Sequence, residues 1–263
     1  MNEIRIITNS LKELKSVKAI ALIGSYALGF ADQYTKDFEL VVFVSKIPKK
    51  DRRKKILAPF IKSWNSAYDV QESFDVFDVG IFKDCSVTYQ RKREIEYFVE
   101  QFRKGKWIAQ QLIDYIFYSK PLYDPDKLLK KWKQIMRKYP DWLRRQEVNL
   151  LTGIFRFTRS DMIEKERKRG NINFLNDKLA SVKIMLDKVV FALNKTYYHP
   201  KWTFKFYPKF KLLPRDFIPL IEKFNDLNGL PFKKKVKIID HIAFEIYKIA
   251  KKEIPDLNII TRF

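Results

Sequence analysis

The chain has 263 residues, 46% of them hydrophobic and 15% aromatic, enough apolar side chain to pack one large domain or two ordinary ones and too much for a disordered chain. A single cysteine (Cys85) and two histidines (His199, His241) exclude an internal disulfide and a Cys/His zinc site, so any metal has to be held by oxygen. The 53 Lys and Arg outnumber 31 Asp and Glu, and the resulting +22 favours polyanionic partners such as nucleotides, RNA or acidic membrane surfaces; the bland account of the same charge is a solvated, lysine-rich surface.

In chain order, MNEIRIITNSLKELK places Ile4, Ile7, Leu11 and Leu14 at helical spacing. It lacks the features of a secretory signal, and no run of 18 apolar residues follows, so a soluble, cytoplasmic protein without membrane insertion is expected. VKAIALIG (17–24) and DFELVVFV (37–44) read as buried strands. Between Pro48 and Ala67, Ile56, Phe60, Ile61 and Trp64 fall at helical spacing interrupted by Pro59, which predicts a kinked connecting helix. SFDVFDVGIF (73–82) reads as a strand, and REIEYFVEQF and WIAQQLIDYIFY as helices. This pattern predicts an α+β unit over residues 1–120, with a small mixed β-sheet and flanking helices.

From Pro121 onward the strand signals stop. Five segments, starting at Asp124, Asp141, Asn171, Arg215 and Phe232, carry apolar residues three and four apart, which predicts an all-helical second domain over residues 121–263. Asp124 and Asp126 are expected helix starters, and Gly170 and Gly229 helix stops. Divided at Lys120, the first part carries 21 basic and 15 acidic side chains (+6) and the second 32 and 16 (+16).

The chemistry concentrates in LIGSYALGFADQYTKDFELVVFV (22–44). Only seven glycines occur in the chain, and Gly24 and Gly29 both lie here. A glycine at a strand end allows positive φ and lets a ligand approach the backbone, so Gly24-Ser25 is a candidate phosphate cradle. On a strand Asp37 and Glu39 would project to the same face, where two acids resist burial unless a cation lies between them; magnesium, which prefers carboxylate oxygen, suits that role.

Gly24-Ser25 at a strand end, eleven residues, then Asp37-Phe38-Glu39-Leu40 resembles the signature of the nucleotidyltransferase superfamily, the polymerase-beta-like fold, in the form used by minimal and kanamycin-type antibiotic nucleotidyltransferases. The core resemblance covers residues 17–85, and a looser one reaches VVFALNKTYYHPKW (189–202). It implies transfer of a nucleoside monophosphate from a nucleoside triphosphate to an acceptor, with two magnesium ions held by three carboxylates. Asp37 and Glu39 match the first two. For the third, SFDVFDVGIF offers Asp75 and Asp78 on opposite faces, and Asp78, in the middle of the apolar run, is preferred.

The resemblance further implies nucleotide contacts from Gly24, Ser25 and Lys201, and a base or orienter at Asp177, while Lys36, beside the acids, is a further candidate nucleotide contact of this chain's own; as ordinary residues, Asp177 is an exposed helix aspartate and Lys201 one lysine among many. His199 reads as a loop residue and His241 as core. Trp107, Trp132, Trp142 and Trp202, among Lys and Arg, are candidates for stacking bases, or simply core. The expected partners are a nucleoside triphosphate and an unidentified acceptor, either anionic (RNA, a metabolite) or a protein. Because many proteins of this family dimerise to complete the site, a homodimer is also among the expected assemblies. Glu39 where Asp is usual in similar proteins, Leu28 where they often carry Arg, and the unusual Lys36 and Phe38 make a decayed member, binding RNA or a protein through its basic helical half, the alternative.

Overall fold

A computed structural model of the chain describes residues 2–65, 73–106, 110–225 and 230–262. The chain divides into two compact units, Met1–Lys138 and Tyr139–Phe263.

The first unit is α+β. Its elements are α1 (Asn2–Lys12), β1 (Val17–Ile23), α2 (Gly24–Leu28), β2 (Glu39–Val44), α3 (Lys50–Leu57), β3 (Ser63–Trp64), β4 (Phe74–Val79), β5 (Phe82–Arg91), α4 (Lys92–Arg103), α5 (Gln110–Ile116), β6 (Lys120–Tyr123) and α6 (Leu128–Met136). The strands form a six-stranded sheet in the order β3-β4-β5-β2-β1-β6. Only β2 and β5 pair in parallel; the other pairings are antiparallel, as the expected mixed sheet requires.

Alternation along the strands sets up two cores. Leu40, Val42, Val44, Val87 and Tyr89 pack with Ile4, Ile7 and Leu11 of α1 and Leu57 of α3. The intervening Val41 and Phe43, fully buried, face the other side, where Phe43 meets Trp132 of α6 edge-on at 5.1 Å. Trp132 is therefore a core residue, not a stacking platform.

Four expectations change. α3 stops at Leu57, two residues before Pro59, and Trp64 lies on β3, so the proline follows the end of a helix and does not kink its middle. SFDVFDVGIF is a hairpin, not one strand: Gly80, at φ +56°, turns the chain between Val79 and its partner Phe82. β5, unread in the sequence, lies between β4 and β2. Finally, Lys120–Tyr123 is a strand paired with β1, so the first unit extends to Lys138 and not 120.

Among its described residues the second unit has helices and no strand: α7 (Asp141–Val148), α8 (Leu150–Thr158), α9 (Met162–Lys168), α10 (Ile172–Leu193), the four-residue α11 (Thr203–Phe206), α12 (Phe217–Asn225) and α13 (Phe232–Glu253). α10 contacts α7, α8, α9 and α13, and from Leu186 to Leu193 it is buried at seven of eight positions. Gly170, at φ +77°, ends α9 as expected, while Gly229 lies outside the described residues. His199 is buried and stacks near Phe206 at 6.4 Å; His241, expected in the core, is exposed on α13. With the boundary at Lys138 the basic excess is nearly even, 27 against 17 (+10) in the first unit and 26 against 14 (+12) in the second. No helix among the described residues is long and apolar enough to cross a membrane.

Candidate active site

The site is built where β1 ends and β2 begins. Gly24 has φ +69° and opens the five-residue α2, which Gly29, at φ +70°, closes by donating its N–H to the Ser25 carbonyl. Both glycines thus occupy the left-handed region that other residues avoid. A Cβ on Gly24 would lie 2.2 Å from Glu39 Oε2. The missing side chain is what lets the Glu39 carboxylate rest against the turn. Ser25 follows, half-buried, in the first turn of α2, where backbone N–H groups lack intrahelical partners.

The two acids face different neighbours. Asp37 lies in the irregular stretch just ahead of β2, and its charge helps burial hold the Tyr26 hydroxyl above its usual pKa. Glu39, the first residue of β2, acts instead on α5. There Asp114 is pushed up to about 7, first by burial and then by the charge of Glu39, with a hydrogen bond from Gln110 opposing both. The adjoining Tyr115 accepts a hydrogen bond from Gln111 Nε2 and is also hydrogen bonded to Thr88 of β5. Asp114 went unread in the sequence. Its one signal there is a lone acid inside the apolar run LIDYIF.

Asp78, expected as the third carboxylate, does not lie on a strand next to Glu39. Asp78 is on β4, separated from β2 by the whole of β5, roughly 10 Å between strand axes. Its carboxylate accepts from Lys83 Nζ (2.8 Å), Ser63 Oγ (3.0 Å) and the Asp84 N–H (3.0 Å), which bring its pKa down to about 2. Asp75 points to the other face and is buried against Arg53 (3.0 Å). The residues of β5 opposite Glu39 and Val41 are Ser86 and Thr88, neither of them an acid. Among the described residues no three His, Cys, Asp or Glu side chains come together to hold a metal ion. Asp37 and Glu39 alone still offer donor chemistry that fits a magnesium-like cation, which takes one or two carboxylates and completes its shell with water and substrate phosphate.

Lys36 is exposed, and its carbonyl accepts the Lys83 N–H at 2.6 Å. Asp177 and Lys201 belong to the second unit and are exposed there, Lys201 with its ammonium 5.6 Å from the Trp202 ring centroid. Gly24, Ser25, Asp37, Glu39 and Asp114 all belong to the first unit. Trp142 and Trp202 are half-buried, and Trp107 lies outside the described residues.

No family model matches the chain. No curated protein matches it either. Among solved structures it is similar to a nucleotidyltransferase-like protein from Exiguobacterium sibiricum 255-15, with 9% identity and a TM-score of 0.43 over 96% of this chain and 74% of that one. It is also similar to the spectinomycin adenyltransferase AAD(9) from Enterococcus faecialis, a structure with ATP and spectinomycin, with 13% identity and a TM-score of 0.35 over 94% of this chain and 98% of that one.

Proposed function

We propose that the chain is a nucleotidyltransferase that moves a nucleoside monophosphate from a nucleoside triphosphate to a hydroxyl-bearing acceptor. The observation that carries this reading is the close seat of Glu39 against Gly24, which joins the glycine turn and the acidic strand into one notch. Asp37 and Glu39 would hold a magnesium ion with the triphosphate; when bound, it supplies charge neutralisation at the phosphate oxygens. Gly24 leaves the backbone open to the phosphates, and Ser25 offers a hydroxyl beside them. Asp114, held near neutrality beside Glu39, takes the proton of the acceptor hydroxyl as its oxygen bonds to the α-phosphorus and pyrophosphate leaves. One ion suffices for this donor set, because the β5 residues opposite Glu39 and Val41, Ser86 and Thr88, offer no carboxylate for a second.

Ser86 and Thr88 also favour a second reading, a decayed member that has lost triphosphate binding and holds RNA or a protein through its basic helical half. Calorimetry with ATP, GTP, CTP and UTP, with and without magnesium, on the wild type and on Asp37→Ala separates the two. Magnesium-dependent binding that the substitution abolishes is expected of the transferase. No binding of any triphosphate would leave the binding module.

A further inference from the structure

The stretch from Lys195 to Pro214 holds five lysines and seven aromatic residues, and not one Asp or Glu. Much of it is surface. Phe204 is 56% exposed, Trp202 is half-buried, and their rings lie 6.0 Å apart, tilted by 44°. Lys201 approaches the Trp202 ring at 5.6 Å and Lys205 the Phe204 ring at 5.5 Å. All four residues sit on the short run from Pro200 through α11, so cations and rings are presented together. We propose that this surface binds single-stranded RNA, the lysines meeting phosphates and the Trp202–Phe204 pair stacking unpaired bases.

The pattern selects that occupant on physical grounds. A polyanion answers the uniform positive charge, and stacking on a protein ring needs bases that are free of a duplex. An anionic membrane would answer the same charge, but insertion calls for an extended amphipathic face, and α11 is four residues long. RNA binding here needs nothing from Asp37, Glu39 or Asp114. The transferase reading and this one therefore fail separately: triphosphate calorimetry tests the first, RNA binding the second.

The test is fluorescence anisotropy of a labelled 12-nucleotide oligo-U and of a 12-base-pair RNA duplex with the full chain at two salt concentrations, alongside sedimentation with phosphatidylserine vesicles. The expected result is tighter binding of the single strand, weakening steeply with salt. Phe204→Ala should weaken it roughly tenfold, a typical loss for one stacked base. Because Phe204 is exposed, an unchanged circular-dichroism melt is expected beside that loss. Lys201→Gln with Lys205→Gln should weaken binding and flatten the salt dependence, whereas Lys234→Gln with Lys235→Gln on α13, the same charge removed elsewhere, should leave affinity within about twofold. Equal effects of the two lysine pairs would reduce the binding to diffuse charge and overturn the proposal. So would equal affinity for duplex and single strand, or vesicle binding without RNA binding.

Discussion

At the scale of single residues, Gly24 and Asp114 mark what the sequence made legible and what it hid. Gly24 could be read because a rare glycine at a strand end points to a backbone that other residues avoid, and the structure places it there at φ +69°. Gly24→Ala should cost about 1–2 kcal/mol for an alanine in the left-handed region and push the flexible Glu39 carboxylate out of its seat. Urea unfolding should report that modest loss, while magnesium-dependent triphosphate binding disappears; undiminished affinity would mean that Glu39 does not serve the ligand from this position. Asp114 was hidden because one acid in an apolar helix forms no motif. In the folded chain it gives up its proton near pH 7, and in the unfolded chain near the ordinary value of about 4. Between those values the folded state holds the extra proton, so stability falls as pH rises from about 4 to 7, and the full penalty persists above 7. Asp114→Asn has no such penalty. It should flatten that slope and be more stable than wild type at pH 8, by on the order of 2–4 kcal/mol, yet lose transfer activity. Urea unfolding at pH 5 and pH 8 checks the sign; parallel pH dependences of the two proteins would refute it.

Between elements, the pairing of α3 with β4 was legible only as two unrelated charges. Arg53 lies on an otherwise very polar helix, LysLys-rich on both sides, and nothing in its spacing shows that it turns inward. In the fold it is 1% exposed, donating to Asp75 Oδ1 and, through Nη1, to the Pro48 carbonyl, with its guanidinium 4.8 Å from the Tyr89 ring centroid. Burial raises the pKa of Asp75 even with Arg53 opposing it, so the pair is a fastening that depends on both partners. Arg53→Leu alone should cost about 3–5 kcal/mol by leaving a buried carboxylate unpaired, and Arg53→Leu with Asp75→Leu should recover most of it. A double-mutant cycle in urea measures this; additive losses would show that the two side chains act independently. The missed strands have similar causes. β5 alternates buried residues with exposed Lys83 and Asp84 near a register shift, which blurs its period. β6 has four residues and contains Pro121, a residue that fits only at a sheet edge.

For the whole molecule, those two omissions moved the domain boundary. Taken from the hydrophobic pattern, the first domain closes at residue 120, on the first residue of the strand that covers the edge of β1 and before the helix that covers Phe43. The resulting contrast in charge was largely an effect of the same cut, since residues 121–138 carry six basic and two acidic side chains that belong with the sheet. The physical boundary is the one that leaves neither an unpaired strand edge nor an uncovered core ring. A fragment of residues 1–120 lacks Trp132, whose truncation alone is worth about 3–5 kcal/mol, against a typical domain stability of roughly 5–15 kcal/mol. It also lacks the rest of α6 and the pairing of β6, so it should fail to fold cooperatively and should associate through the open edge of β1. A fragment of residues 1–138 keeps both and should melt in one transition as a soluble species. Size-exclusion chromatography and circular-dichroism melts of the two fragments decide between the boundaries: if residues 1–120 melt as sharply as residues 1–138, β6 and α6 are appendages and the sheet is complete with five strands.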